Sequence, residues 1–475
     1  MVLSTALLLS LMLAGCGGAR SGAGRAGASR TGGAAGTAVP PVEAAPPPGP
    51  GFGLTEDNAG LLWSPAPAAA PAAGSTTAAT ALTPTAAAPA NAAALAGDPA
   101  SAAVGATAAA GGEPTAFVAA RERLTALRPT YIRLLVDWAA LQPDPNRPPA
   151  LDAAVSGCAR TVGPCVPYAG LRDELRAIAS QQRAARARGE DDFRVVLDVF
   201  GVPGWAAHDP SGCEAGGAPA FARAIGPRGL AGYRALIESV LALGASEGVA
   251  LDWWSPWNEP NDARFLSPQH ASCEAGSPTV APAVYARLAR TMGSVLRAAG
   301  GGRTMLLGEL SAVATDSPHR TSIPSFVAAL PQDVLCSSTV WSIHAYATYG
   351  AGARAGDPVA ALEQALDARG DCGRRASVWV TEAGAGAEHP GRARTAGAGD
   401  ERAGCLALAA QLLGWEHDPR VGAVFQYSFR EDPAFPVGLL SADLAHVYPA
   451  YGLWSRYTQN RARGELPASG AALCA

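Results

Sequence analysis

Between residues 51 and 460, short apolar runs rich in β-branched and aromatic residues alternate with longer stretches whose apolar positions recur at helical spacing. The short runs are 51–58 (GFGLTEDN), 131–138 (YIRLLVDW), 193–200 (FRVVLDVF), 249–259 (VALDWWSPWNE), 303–311 (RTMLLGELS), 340–348 (VWSIHAYAT), 377–384 (SVWVTEAG) and 421–429 (VGAVFQYSF). Each reads as a strand. Helical spacing appears at 115–127, 228–245, 358–368 and 401–415, and a last helix is expected over 448–459. Near-continuous apolar strands that alternate with helices call for a parallel sheet covered on its outer face. Eight such units close into a (β/α)8 TIM barrel, an α/β fold in one catalytic domain spanning 51–460. An open doubly wound sheet is the other architecture considered, but the first strand is not followed by a glycine-rich dinucleotide fingerprint.

Composition removes two segments from that core. Residues 17–50 and 64–112 are built mostly from Ala, Gly, Pro, Ser and Thr, and cannot bury enough surface to offset the entropy of ordering them. The second falls inside the first strand-to-helix connection and reads as a disordered insertion, which loop-closure entropy tolerates. Residues 461–475 read as a C-terminal tail. At the other end, 2–14 (VLSTALLLSLMLA) is an apolar run too short to span a bilayer, and it stops at small residues as export signals do. Leu13-Ala14-Gly15-Cys16 resembles the lipobox of bacterial lipoproteins. By that resemblance 1–16 is a signal peptide, Cys16 carries the lipid, and 17–50 tethers the domain to a membrane. No Lys or Arg precedes the run, which a mis-assigned start codon would explain, and an ordinary secretory signal is the alternative.

Charge and cysteines narrow the function classes. A net charge of −4 and a pI near 6.0 argue against a nucleic-acid partner. The 36 basic residues are all Arg, a composition bias rather than a motif. Setting Cys16 aside leaves Cys158, Cys165, Cys213, Cys273, Cys336, Cys372, Cys405 and Cys474, an even set that suggests disulfides in an exported chain. Cys158 with Cys165 would close a short loop, and other pairings stay open. No paired CxxC spacing marks a zinc site, and neither a cofactor nor a metal is expected.

Functional residues of such barrels gather at the carboxyl ends of the strands. Those ends hold Asp57-Asn58, Arg133 with Asp137-Trp138, Asp198 with Trp205, Asn258-Glu259, Glu309, His344 with Tyr346, Glu382, and Gln426-Tyr427. Glu259 ends strand four inside WNEPN, and Glu382 ends strand seven inside VWVTEAG, 123 positions later (382 − 259). A closed barrel aims both across one mouth. Glycoside hydrolysis requires such a pair, an acid on one side of an oxocarbenium-like transition state and a carboxylate on the other.

On these residues the chain resembles a clan A glycoside hydrolase, and WNEPN is similar to families five and thirty-nine. Asn258-Glu259 matches the clan's strand-four pair and Thr381-Glu382 its strand-seven glutamate, with Arg133, His344, Tyr346 and the closing 437–454 in keeping. Where the clan often has a Trp after strand eight, this chain has Gln426-Tyr427. The resemblance implies Glu259 as acid/base, Glu382 as nucleophile and retention of configuration, with carboxyls about 5–5.5 Å apart. Trp257 is expected to keep Glu259 protonated, Arg133 or Tyr346 to keep Glu382 ionised, and Asn258 to hold a sugar hydroxyl. Trp138, Trp205 and Tyr427 join the expected sugar contacts, with Trp63, Trp253, Trp254 and Trp341 as further stacking candidates. His344 is expected to orient the nucleophile or touch sugar, Glu309 to be structural or a substrate contact, and Asp137 and Asp198 to cap helices or loops. The Arg-rich stretch 181–192 reads as a solvated helix end. The reading is therefore a monomeric, surface-anchored or secreted enzyme with a carbohydrate substrate. A barrel that binds carbohydrate without turnover is the alternative, and a metal-dependent hydrolase has too few His at strand ends.

Overall fold

A computed structural model describes residues 50–56, 61–62, 114–190, 192–348, 356–386, 394, 397–465 and 469–475. The leader with Cys16, the tether up to 49, Asp57-Asn58, Trp63 and the stretch 64–112 lie outside the described residues.

Eight parallel strands pair in chain order and close on themselves: β1 (Gly51–Thr55), β2 (Tyr131–Asp137), β3 (Arg194–Phe200), β4 (Trp253–Ser255), β5 (Thr304–Leu310), β6 (Val340–His344), β7 (Ser377–Ala383) and β8 (Val421–Tyr427). Closure runs from Gly51 opposite Ala423 to Thr55 opposite Tyr427. Helices separate successive strands, so the fold is a (β/α)8 barrel. The main ones are α1 (Thr115–Ala126), α3 (Gly170–Ala187), α4 (Pro227–Glu247), α5 (Ala281–Ala299), α6 (Ile323–Ala329), α8 (Pro358–Asp367), α10 (Ala398–Glu416) and α11 (Pro449–Ala462). Neither α5 nor α6 is among the helices expected from sequence, and only the end of α3 is, because its buried face mixes Leu171, Leu175 and Ile178 with Gly170, Ala177, Ala179, Gln182 and Ala185. Small apolar residues give a weak periodic signal. The other elements are one-turn helices: α2 (Trp138–Leu141), α7 (Gln332–Leu335), α9 (Asp371–Arg374) and α12 (Gly470–Leu473).

Strand alternation separates two cores. Residues such as Leu54, Leu134, Leu197, Leu307, Val380 and Val424 join helix residues such as Leu236, Leu288, Phe326, Leu362 and Leu408 in the large outer core. Inside the barrel, Val196, Leu306, Val340, Trp379, Ala423 and Phe425 form a second core with Tyr131 and Trp253. Four aromatics interlock there, with Trp253 4.6 Å and Tyr131 4.8 Å from the Trp379 centroid. Room for Phe425 exists because residue 53 is glycine: a Cβ at Gly53 would sit 2.2 Å from the Phe425 ring. This plug fills the amino-terminal end of the barrel. It also accounts for Trp253, which is plug rather than sugar platform, while Trp254 and Trp341 are wholly buried in the outer core.

Disulfides join Cys158–Cys165, Cys213–Cys273, Cys336–Cys372 and Cys405–Cys474. Four such bonds suggest folding in an oxidising compartment, as for an exported or extracellular protein. Among the described residues no helix is long and apolar enough to cross a membrane. The expected tail after 460 is partly structured. Following α11, the chain makes α12, buries Leu473 and Cys474, and is held to α10 by the Cys405 bond and by Arg402 donating to the Cys474 carbonyl at 2.9 Å.

Candidate active site

The opposite end of the barrel is lined by charge. Arg133 on β2 is fully buried, and its guanidinium donates to four side chains: Glu382 Oε1 at 2.8 Å, Asp198 Oδ2 at 2.7 Å, Glu309 Oε2 at 3.0 Å and Asn258 Oδ1 at 3.2 Å. The two carboxylates singled out from sequence come together here. His344, at the end of β6, places Nδ1 2.9 Å from Glu259 Oε1 and 3.3 Å from Glu382 Oε2. Ligand atoms of Glu259, His344 and Glu382 all lie within 4.8 Å of one another.

Backbone irregularities aim these groups. Glu259 does not end β4, as the sequence reading has it; the strand stops at Ser255, and Glu259 stands in the turn beyond at φ 39°. The turn is pinned between the neighbouring strands, with Asn258 N–H donating to Val199 O at 3.1 Å and Glu259 N–H to Glu309 O at 3.0 Å. The β5–β6 register shifts between Leu307 and Leu310, where Gly308 and Glu309 have φ of 104° and 50°. The β6–β7 register shifts between Ile343 and His344, which sets His344 opposite Glu382. Such bulges re-aim side chains that strict alternation would point elsewhere.

Glu309 is bonded at both of its oxygens. It has no exposed surface; its Oε2 accepts from His344 Nε2 at 2.8 Å, Thr381 Oγ1 at 2.7 Å and Arg133, and its Oε1 from Ser255 Oγ at 2.6 Å. That excludes a direct substrate contact in this state and makes Glu309 part of the scaffold. Burial alone would raise its pKa, but Arg133, His344 and Ser255 hold it down to about 2. Both nitrogens of His344 face carboxylate oxygens, which only accept, so a ring protonated at both positions satisfies the geometry. Burial would lower its pKa, yet Glu382, Glu259 and Glu309 push it up to about 10.

Glu259 departs from expectation. Trp257 is buried and donates to the Phe265 carbonyl at 2.9 Å, but an apolar wall does not set the charge of Glu259. Burial raises the carboxyl, while the hydrogen bond and charge of His344, with Arg264 and Arg320, outweigh it and hold the group below the ordinary carboxylate range. Arg264 lies 3.7 Å from Glu259 Oε2 and, like Arg320, is anchored by the buried Asp262. Asp198 departs too. It caps nothing in this arrangement; buried against Arg133, it is pushed well up by desolvation, with Glu309 and Glu382 adding to the rise. Asp137 does cap, accepting from Ala140 N at 3.1 Å at the start of α2.

Arg133 and Tyr346 both bond Glu382, the tyrosine hydroxyl donating to Oε2. Tyr346 and Tyr427 then meet Phe435, at centroid distances of 5.0 and 5.6 Å. Phe435 was not anticipated; the signal for it is glycine. A Cβ at Gly386 would fall 1.6 Å from Pro436 O, so the AGAG stretch after Glu382 admits the 435–437 segment. Gln426 faces away from the mouth, bonding Val437 O at 2.8 Å and accepting from Trp454 Nε1 at 2.8 Å. Trp138 has no exposed surface; its indole donates to Gln142 at 2.9 Å and its ring abuts Trp205 and Tyr233. Trp205 is half-buried and borders a cleft of about 330 Å³ with His208, Asp209 and Arg228, so it rather than Trp138 has a face for a ligand. The rim loops after β3 and β4 are joined by Cys213–Cys273, and Glu214 ties in the loop after β5 through His319 Nδ1 at 2.9 Å.

The triangle of Glu259, His344 and Glu382 has the ligand types of a metal site, but its atoms already engage one another. The second such group, Cys213, Glu214 and His319, has its sulfur in a disulfide.

The fold and site define a barrel with a buried carboxylate pair at its carboxyl-terminal mouth. No protein-family profile matches the sequence, and no curated protein matches it. Among solved structures, the chain is similar to GH5_18 from Streptomyces cattleya in complex with GlcNAc (17% identity over 74% of this chain and 76% of that one, TM-score 0.45). It is similar also to a family 39 glycoside hydrolase from Bacteroides cellulosilyticus WH2 (15%, 73% and 60%, TM-score 0.46) and to the catalytic domain of GH30 xylanase C from Talaromyces cellulolyticus (11%, 87% and 76%, TM-score 0.46).

Proposed function

We propose that this protein is a glycoside hydrolase that cleaves O-glycosidic bonds with retention of configuration. The observation that carries the reading is the approach of Glu259 and Glu382, with carboxylate oxygens within 4.8 Å across one barrel mouth. That spacing suits direct attack on the anomeric carbon; an inverting pair stands about 6.5–9.5 Å apart to admit a water.

In this mechanism Glu382 is the nucleophile. Arg133 and Tyr346 donate to its two oxygens and hold it ionised and oriented. Glu259 protonates the departing oxygen, then takes a proton from the water that releases the covalent intermediate. Asn258, its carbonyl oxygen engaged by Arg133, directs its amide N–H groups to the sugar hydroxyl beside the reacting carbon. Trp205 offers a face to a neighbouring sugar, whereas Tyr427, expected from sequence to touch sugar, is buried against Tyr346 and Phe435 and backs the wall behind Tyr346. No cofactor enters any step. An exported enzyme, anchored through Cys16 or released, fits the four disulfides.

The test is a panel of aryl xylosides, glucosides, mannosides and arabinosides, followed on the best substrate by Glu259→Gln and Glu382→Gln. Both variants should fold and lose at least about 10²–10⁴-fold in kcat. Azide should rescue Glu382→Gln and give the inverted glycosyl azide. Full activity in both variants would end the proposal. The Glu-His-Glu triangle favours one competing reading, a metal-dependent hydrolase, which requires activity to collapse on chelation; the glycosidase requires it unchanged.

A further inference from the structure

Glu259 is held in the form that cannot donate a proton, yet the reaction proposed above needs it to donate. The geometry around His344 supplies the missing proton. The ring is buried, and three carboxylates from three different elements converge on it: Glu259 from the turn after β4, Glu309 from β5 and Glu382 from β7. Nε2 is committed to Glu309 at 2.8 Å, while Nδ1 lies between the two reacting carboxylates at 2.9 and 3.3 Å.

We infer that Glu309 is a positioning residue that keeps His344 an imidazolium, and that His344 stores the working proton on which Glu259 draws. Like the glycosidase reading on which it rests, the inference concerns this one mouth. Glu309 is suited to the role because its surroundings leave it no other state. Arg133 from β2, Ser255 from β4 and Thr381 from β7 all donate to it, and the charge they stabilise faces Nε2. Asp198 on β3 is the remaining acid of the cluster, and it bonds Arg133 rather than the imidazole.

The proton balance closes. As substrate excludes water, the N–H bond at His344 Nδ1 breaks and an O–H bond forms on Glu259. That proton passes to the departing oxygen as its bond to the anomeric carbon breaks and the bond from Glu382 forms. In the second half the attacking water gives a proton to Glu259, which returns it to His344. At the covalent intermediate His344 has given up its Nδ1 proton and Glu382 is esterified, so Glu259 is left ionised, the form that a base requires, and the Nδ1 lone pair is open to take the proton that Glu259 receives. Resting and reactive arrangements contain the same number of protons, so the titration belongs to the pair and not to Glu259. Activity should therefore persist to the pH at which the pair loses its shared proton.

A glutamine at 309 fills the same space and can accept from Nε2, but it lacks the charge. The ring should then be neutral with its hydrogen on Nε2, leaving a lone pair at Nδ1 facing two carboxylates. The experiment is ¹⁵N NMR of the histidine rings, with His344 assigned through His344→Gln, beside kcat/KM against pH on the best aryl glycoside. In the wild type, His344 should be doubly protonated at about pH 8, well above an unperturbed histidine. In Glu309→Gln it should be singly protonated there, and the alkaline limb should fall by about one pH unit or more with KM little changed. Glu309→Asp, which keeps the charge, should retain more of the wild-type limb. A neutral His344 in the wild type at about pH 8 overturns the inference, as does a folded Glu309→Gln with an unmoved limb. If that variant does not fold, the wild-type spectrum decides. A purely structural Glu309 would lower the melting temperature and leave the limb in place. Should no glycoside be cleaved while His344 is doubly protonated, the glycosidase reading fails instead.

Discussion

The two ends of this barrel solve opposite problems with the same eight strands. The amino-terminal end is filled by Tyr131, Trp253, Trp379 and Phe425, whose rings pack on one another around Gly53. The other end, two or more residues along the same strands, encloses Arg133, Asp198, Glu309, His344 and Glu382 with almost no exposure. Dispersion and burial hold the first end; paired charge holds the second, where every ion depends on its partner. None of the plug's contacts is an ion pair, and burial raises the pKa of its one titratable member, Tyr131, so the plug should not respond to pH in the acid and neutral range. The mouth is a titratable assembly on a rigid floor.

The comparison can be broken most directly by removing one member from each end. Arg133→Met leaves three carboxyl groups without their shared cation and should destabilise the fold by about 3–5 kcal/mol. Trp379→Ala opens the plug and should cost a similar amount, about 3–5 kcal/mol. Urea unfolding should separate them by pH: the Trp379→Ala loss should be constant, whereas the Arg133→Met loss should shrink as acid neutralises the orphaned carboxyls. Equal pH dependence would erase the distinction between the ends.

Tyr346→Phe is a smaller change, since it removes one donor to Glu382 and leaves Arg133 in place. A drop of about tenfold in kcat is expected, with the melting temperature near that of the wild type.

The wild type tests the mouth without mutation. Glu309 is lowered from 4.5 to about 2, so its contribution to stability is complete above pH 4.5 and is lost as pH falls toward 2. His344 is raised from 6.5 to about 10, so its contribution is complete below pH 6.5 and is lost as pH rises toward 10. Asp198, also raised, slopes in the same direction as His344. Thermal melts across pH should peak between these limits, and a flat profile would contradict the charge assignments. The mildest perturbation lies outside both ends: Asp137→Ala removes the cap of α2 and should cost about 1 kcal/mol by urea titration.

What the sequence revealed follows the same division. All eight strands were legible because each is an apolar run, and two carboxylates in WNEPN and VWVTEAG were legible because a charge at the end of such a run is conspicuous. Glu309 was just as visible as a residue, but its commitment to His344 depends on a register shift and a positive φ that no residue type announces. Asp198 read as a cap for want of any sign that Arg133 would be buried beside it. Trp138 and Trp205 look alike in one dimension; whether an indole faces a cleft or a neighbouring ring is decided by α4, whose Tyr233 packs against Trp138. Conversely, α3 was half hidden because Gly, Ala and Gln share its buried face with only three large apolar residues.

Arg133 has a wider meaning when the barrel is divided between β4 and β5. The first half contributes the guanidinium, while the second contributes Glu309 and Glu382, the anions it joins at 3.0 and 2.8 Å. The first half also supplies Asp198 at 2.7 Å, but the other two carboxylate partners of Arg133 come from across the division. The barrel is thus unlike a duplicated module in which each half keeps its own core: it resembles a lock whose bolt is mounted on one leaf and whose socket is on the other, so that the site exists only where the two leaves have closed.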